Sequence, residues 1–235
     1  MQHTSHAVSL LIVLLMSSFA CAETVVINYF DSGWYKPTGE HDPFNKNYLV
    51  GDFRGPNCAL CGYPSSEFRN FFVFDLKNVA KPIESATLAL FVEGASNRVP
   101  GFVSSDLGEN YELHDVTTPI DVLRNGTNGV TTHADLGSGI VYGNRMMTVA
   151  DKRHEVEIIL NAAAIGAMNS THVLFAIGGS ITTLDGLAND EYVFAGSPNV
   201  THELRLTLVP ELSCVTLVIL GACGVSRSWP RRLRK

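Results

Sequence analysis

Hydrophobic residues recur at every second position in a series of short stretches, and this two-residue period dominates the chain. The clearest case is His202–Leu208, HELRLTL, with Leu204, Leu206 and Leu208 on one face and Glu203, Arg205 and Thr207 on the other. His154–Leu160 places Val156, Ile158 and Leu160 together, and Ile83–Val92 alternates Ala86, Leu88, Leu90 and Val92 with small or polar neighbours. Thr24–Tyr29 is rich in β-branched residues, and His172–Ile177 and Glu191–Ala195 complete the set. Asn70–Leu76, NFFVFDL, is apolar on both faces, which suits a central strand covered on each side. Helical signal is confined to Asn161–Met168, where Asn161 can cap the first turn. The stretch Gly33–Ser66 has no clear period and reads as loops over one end. The pattern predicts an all-β fold: a two-sheet antiparallel sandwich, with the jelly roll as preferred connectivity and at most one short helix.

The two ends of the chain break this pattern. Residues 7–20, AVSLLIVLLMSSFA, are apolar, and Ala20-Cys21-Ala22 supplies the small residues that signal peptidase accepts. Residues 1–22 therefore read as a signal peptide, too short for a comfortable membrane span. A sandwich domain at 23–208 follows, and a tail at 209–235. Within that tail the apolar run 214–225 is closed by Arg227, Arg231, Arg232, Arg234 and Lys235, a stop-transfer arrangement that keeps the basic end inside. Of the 235 residues 46% are hydrophobic and 17% charged, so the chain can build a core and is not a disordered sequence. The charge is divided unevenly. Residues 23–213 hold 12 Lys and Arg against 23 Asp and Glu, a net charge of −11, whereas 214–235 hold five basic residues and no acid. A body of that charge repels phosphate, which excludes nucleic acid as the expected partner.

The tail, with Pro210-Glu211 ahead of the apolar run and the Arg-rich end, resembles the PEP-CTERM sorting signal of exported bacterial proteins, although Leu212 stands where that signal has a second proline. The resemblance implies recognition by an exosortase, a membrane-anchored intermediate, removal of the tail, and delivery to the cell surface or beyond it. A plain C-terminal anchor is the other reading of the same segment. Arg69–Val92, RNFFVFDLKNVAKPIESATLALFV, is similar to the strand pair of DNRLRE-type and carbohydrate-binding-module-like sandwiches. That likeness implies the sandwich fold and supplies no catalytic residue.

Candidate chemistry is sparse. Cys58 and Cys61 could close a small disulfide in a loop rich in Gly and Pro, stay reduced, or contribute to a metal site that lacks two further ligands. Gly137, Gly139 and Gly143 have neither the spacing nor the following helix of a phosphate loop. No Gly-x-Ser-x-Gly and no His-Glu-x-x-His occurs. Glu155 and Glu157 share one strand face and read as solvated, and Glu109 with Glu112 is the other acidic pair that might flank a glycosidic bond. No cofactor is expected, with calcium the one exception weighed. Hard-cation oxygens could come from Asp185, Asn189, Asp190 and Glu191 or from Asp42, Asn45 and Asn47, though neither stretch fits a calcium-loop pattern. Trp34 and Tyr35 could cover the face of a sugar ring or cap the core under loops. The expectation is a non-enzymatic exported surface or extracellular-matrix protein. A carbohydrate-binding module acting on exopolysaccharide is the alternative, and a polysaccharide hydrolase or lyase ranks last.

Overall fold

The strand β1 (Glu23–Tyr35) organises the molecule because it changes environment halfway along. Its residues alternate between exposed and half-buried as far as Phe30, and from Asp31 to Tyr35 every one is buried. A bulge between Tyr29 and Asp31, in the antiparallel register that runs from Tyr29↔Phe74 to Tyr35↔Arg69 against β3 (Ser66–Asp75), marks the change. The computed structural model describes residues 22–54, 66–96, 99–171, 173–185, 190–195 and 202–210. Residues Thr24–Leu208 form one compact unit.

Eight strands make the body, in the order β10 (Glu155–Ile159), β4 (Ile83–Phe91), β13 (His202–Leu208), β1, β3, β11 (Leu174–Ile181), β8 (Glu109–Asp115) and β9 (Val141–Met147). Counted in chain order, the sixth, third, eighth and first form one half, and the second, seventh, fourth and fifth the other. That is jelly-roll connectivity. Leu88, Val156, Leu204 and Leu206 of the first half share one core with Phe72, Phe74, Leu113 and Ile177 of the second. The halves thus face each other as a sandwich, joined through β1 into one curled sheet.

Two smaller ladders complete the strand pairing, and Val50, Phe102 and Val193 of the first join the main core. β2 (Val50–Phe53), β12 (Glu191–Val193) and β7 (Phe102–Val103) pair into a short ladder joined to β3, and β5 (Ala95–Ser96) pairs with β6 (Val99–Pro100). Trp34, Leu49, Phe68, Tyr192 and Ala195 form a second cluster near this ladder. The third cluster holds Tyr35, Phe71, Val73, Leu123, Leu136 and Ala176. Phe72 and Phe74 face the main core and Phe71 and Val73 face the third cluster, which is why β3 is buried on both faces, as its sequence predicts.

Three short α-helices occur among the described residues, where the pattern predicts one at most. The expected helix, α3 (Ala162–Ser170), is capped by Asn161, whose side chain accepts from Ala163 N at 3.0 Å and Ala164 N at 3.2 Å. The unexpected pair is α1 (Ile120–Asn125) and α2 (Gly129–Asp135). Neither has a side-chain cap; they are held by Leu123 and by Leu136, the residue that ends α2, packing on Phe71 and Val73. One buried apolar anchor per helix gives no hydrophobic period to read, so tertiary packing decides the conformation. No described helix is long and apolar enough to cross a membrane.

Candidate functional site

An acidic group stands where β8 and β12 begin. Glu109 opens β8, Glu191 opens β12, and Asp106 lies on the loop between β7 and β8; one carboxylate oxygen of each lies within 4.8 Å of the others. Asp106 is exposed, but Glu109 is 0% and Glu191 1% exposed. Burying a carboxylate is costly unless donors replace its water. Ser104 Oγ donates to Glu109 Oε1 at 2.6 Å, and Thr183 Oγ1 donates to the other oxygen. Ser105 Oγ donates to Glu191 Oε1 at 2.6 Å, and the Asp185 backbone N–H donates to Oε2 at 3.1 Å. Both buried carboxylates are therefore fully hydrogen-bonded within the protein.

The donor set is all oxygen, so a hard divalent cation is the only kind of metal its chemistry suits. Of the residues weighed for calcium, Glu191 joins this group with its carboxylate, whereas Asp185 meets it through its backbone N–H and adds no ligand oxygen to the group. Asp190 turns elsewhere and accepts from Arg54 N at 3.1 Å, and Asn189 lies outside the described residues. The second stretch proposed for calcium builds turns instead. Asp42 Oδ1 accepts from Phe44 N at 3.0 Å, and Asn45 Oδ1 accepts from Asn47 N at 3.1 Å. On sequence alone Glu109 pairs with Glu112, and Asp106 and Glu109 are not joined to Glu191, because 82 residues separate Glu109 from Glu191 and only the fold closes that distance; the hydroxyl-rich Ser104-Ser105-Asp106 is the one local hint.

A serine and a histidine also meet, on the outer side of β8 and β11. Ser180 Oγ lies 3.4 Å from His114 Nε2, and Glu112 Oε1 lies 3.4 Å from the same nitrogen. Burial, the largest influence, pushes the His114 pKa down, against the opposing pull of Glu112. A catalytic relay needs the carboxylate on the other ring nitrogen, Nδ1, which has no partner here. Ser180 is 5% exposed as well. The arrangement is a packed polar contact and cannot present a nucleophile.

The acidic pairs do not frame a bond either. Glu155 and Glu157 are exposed on β10, and with Glu203 they surround Arg205, whose Nη2 lies 2.7 Å from Glu155 and 2.6 Å from Glu203. Glu109 is buried in the acidic group, whereas Glu112 faces His114.

Trp34 and Tyr35 lie in the interior, so of the two readings the sequence offers, their burial fits the core cap. Trp34 is 8% exposed and meets Phe68 edge-on, with ring centres 5.0 Å apart. Tyr35 is fully buried and donates its hydroxyl to Leu123 O at 2.5 Å. Burial pushes the Tyr35 hydroxyl up to about 12. The aromatic residues cap cores, as amphipathic rings at sheet borders commonly do. Pro210 is the last described residue, half-buried. Glu211, the basic residues from Arg227 to Lys235, Cys58, Cys61 and all of the signal segment except Ala22 lie outside the described residues. No family model matches the chain, and no curated protein does.

Proposed function

We propose that the protein is a non-enzymatic, exported surface or extracellular-matrix protein, sorted through an exosortase-type system. The observation that carries this reading is the order of features in the tail: Pro210-Glu211, the apolar run 214–225, then five basic residues. The apolar N-terminal segment ending in Ala20-Cys21-Ala22 supports export, and the acidic body between the ends supports solubility outside the cell. In this scheme signal peptidase cuts before Glu23. The tail then halts in the membrane with its cations inside, and the exosortase removes it near Pro210-Glu211. The jelly roll is the delivered cargo.

Intact mass of the surface-extracted product tests both processing steps. The expected species starts at Glu23 and lacks residues 214–235. In a host without an exosortase, the same protein should sediment with membranes and keep its tail. A full-length product free in the cytosol, with both ends intact, overturns the reading.

A further inference from the structure

His41 lies on the strap of chain, residues 36–47, that leaves β1 and passes beside the end of α1, and both of its ring nitrogens face acceptors. Nδ1 is 2.8 Å from Trp34 O, and Nε2 is 3.3 Å from Arg124 O. A backbone carbonyl can only accept. A neutral imidazole carries one N–H, so it can satisfy one of these contacts and must aim a lone pair at the other oxygen. An imidazolium donates to both. We propose that protonation of His41 locks the 36–47 strap onto the domain and that loss of this proton releases it.

Three features of the surroundings fix the position of the ring. Its face stacks on Tyr35 with centres 4.4 Å apart and planes 11° from parallel, a geometry in which a cation gains from the aromatic face. Arg124 O belongs to the last turn of α1, where carbonyls lack helical partners and basic side chains cap them. Gly126, which ends α1 in the left-handed region at φ +75°, leaves the ring room: a Cβ there would lie 3.1 Å from His41 Cδ2.

The charged and titratable groups around the ring are few. On α1 the Arg124 guanidinium turns away and binds Asp31 Oδ2 at 2.5 Å. On the strap Lys36 and Glu40 pair with each other at 2.7 Å, and Asp42 is spent on its turn. β1 contributes the Tyr35 hydroxyl, which burial keeps neutral, and β3 contributes the apolar Phe71 at 5.7 Å. Among the described residues His41 is thus the one histidine at this contact, with both ring nitrogens on backbone carbonyls. The rest of the strap has a separate anchor: Lys46 Nζ reaches Asp31 Oδ1 at 2.5 Å, and Ser32 Oγ donates to Lys46 O at 2.8 Å. Release therefore loosens the part around His41, while Lys46 at the far end and the packing of Gly39 on Gly129 and Val130 keep the strap attached.

Hydrogen exchange of the strap amides, corrected for the intrinsic effect of pH, tests the proposal alongside the ring 15N signals of His41. Protection should be roughly fivefold to tenfold higher at about pH 5.5 than at about pH 8. It should also follow the same midpoint as the His41 ring, with both nitrogens protonated in the locked state. His41→Asn should remove the pH dependence while the strand amides of β3 keep their protection. Equal protection at both pH values overturns the proposal, as does a midpoint different from that of the ring. If the variant fails to fold, the comparison of midpoints in the unaltered protein still decides.

Discussion

Asp31 shows how much one side chain can hold together. It sits just past the bulge of β1 and is 3% exposed; one oxygen takes Lys46 at 2.5 Å and the other takes Arg124 at 2.5 Å. The Ser32 N–H adds a third donor at 2.9 Å. A strand, a loop and a helix are tied at a single carboxylate. Arg124 also lies over the Phe30 ring at 4.7 Å, so its position is fixed from two sides. Removing the charge strands two cations against an amide; because both cations are partly exposed, the cost falls between that of a surface pair and that of a buried one, about 1–3 kcal/mol. Urea unfolding of Asp31→Asn should show a loss near that size. Both cations remain partly exposed, so Lys46→Met and Arg124→Met should each cost less.

Glycine positions give predictions of opposite sign at the level of elements. Gly166 lies in the exposed part of α3 with nothing within 4 Å of where a Cβ would stand. Gly166→Ala should therefore raise stability by about 0.5–1 kcal/mol through helix propensity. Gly51 on β2 has φ +104°, and a Cβ there would come within 2.3 Å of Glu191 O. Gly51→Ala should lower stability by more than about 2 kcal/mol and disturb the β2–β12 ladder, both visible in thermal melts and in amide shifts of Glu191–Val193.

The same contrast explains what could be read from the sequence. β4, β10 and β13 were legible because one face packs inward and the other meets solvent, so side-chain polarity reports position. β8 was not, because Glu109 and His114 are buried among its apolar residues, and β9 was not, because it buries only Tyr142 and Met147 along seven residues. The acidic group needed the fold: its members come from the loop after β7 and from the starts of two strands far apart in the chain. The burial of Trp34 and Tyr35 depends on three layers meeting around β1, which no local pattern encodes.

At the scale of the whole molecule, buried phenols set an upper limit on the pH range of stability. Burial raises Tyr35 and Tyr192 from 10.0 to about 12 and pushes Tyr48 and Tyr111 higher still. In the unfolded chain these groups ionise near pH 10, so between about 10 and 12 the unfolded state binds fewer protons than the folded one. Stability is complete below about pH 10 and is lost as pH rises toward 12. The melting temperature should fall steeply over that interval, and the tyrosinate absorbance of Tyr35, Tyr48, Tyr111 and Tyr192 should appear together with unfolding, not before it.

The position of β13 has a mechanical consequence. It is the last strand of the domain, yet it lies between β4 and β1 in the interior of the sheet, in register with β4 from His202↔Leu90 to Leu208↔Ile83. Tension applied to the chain beyond Pro210 reaches an inner strand, gripped on both sides, and no frayed margin yields first. A cargo hauled by its carboxyl end would bear load through its best-anchored element.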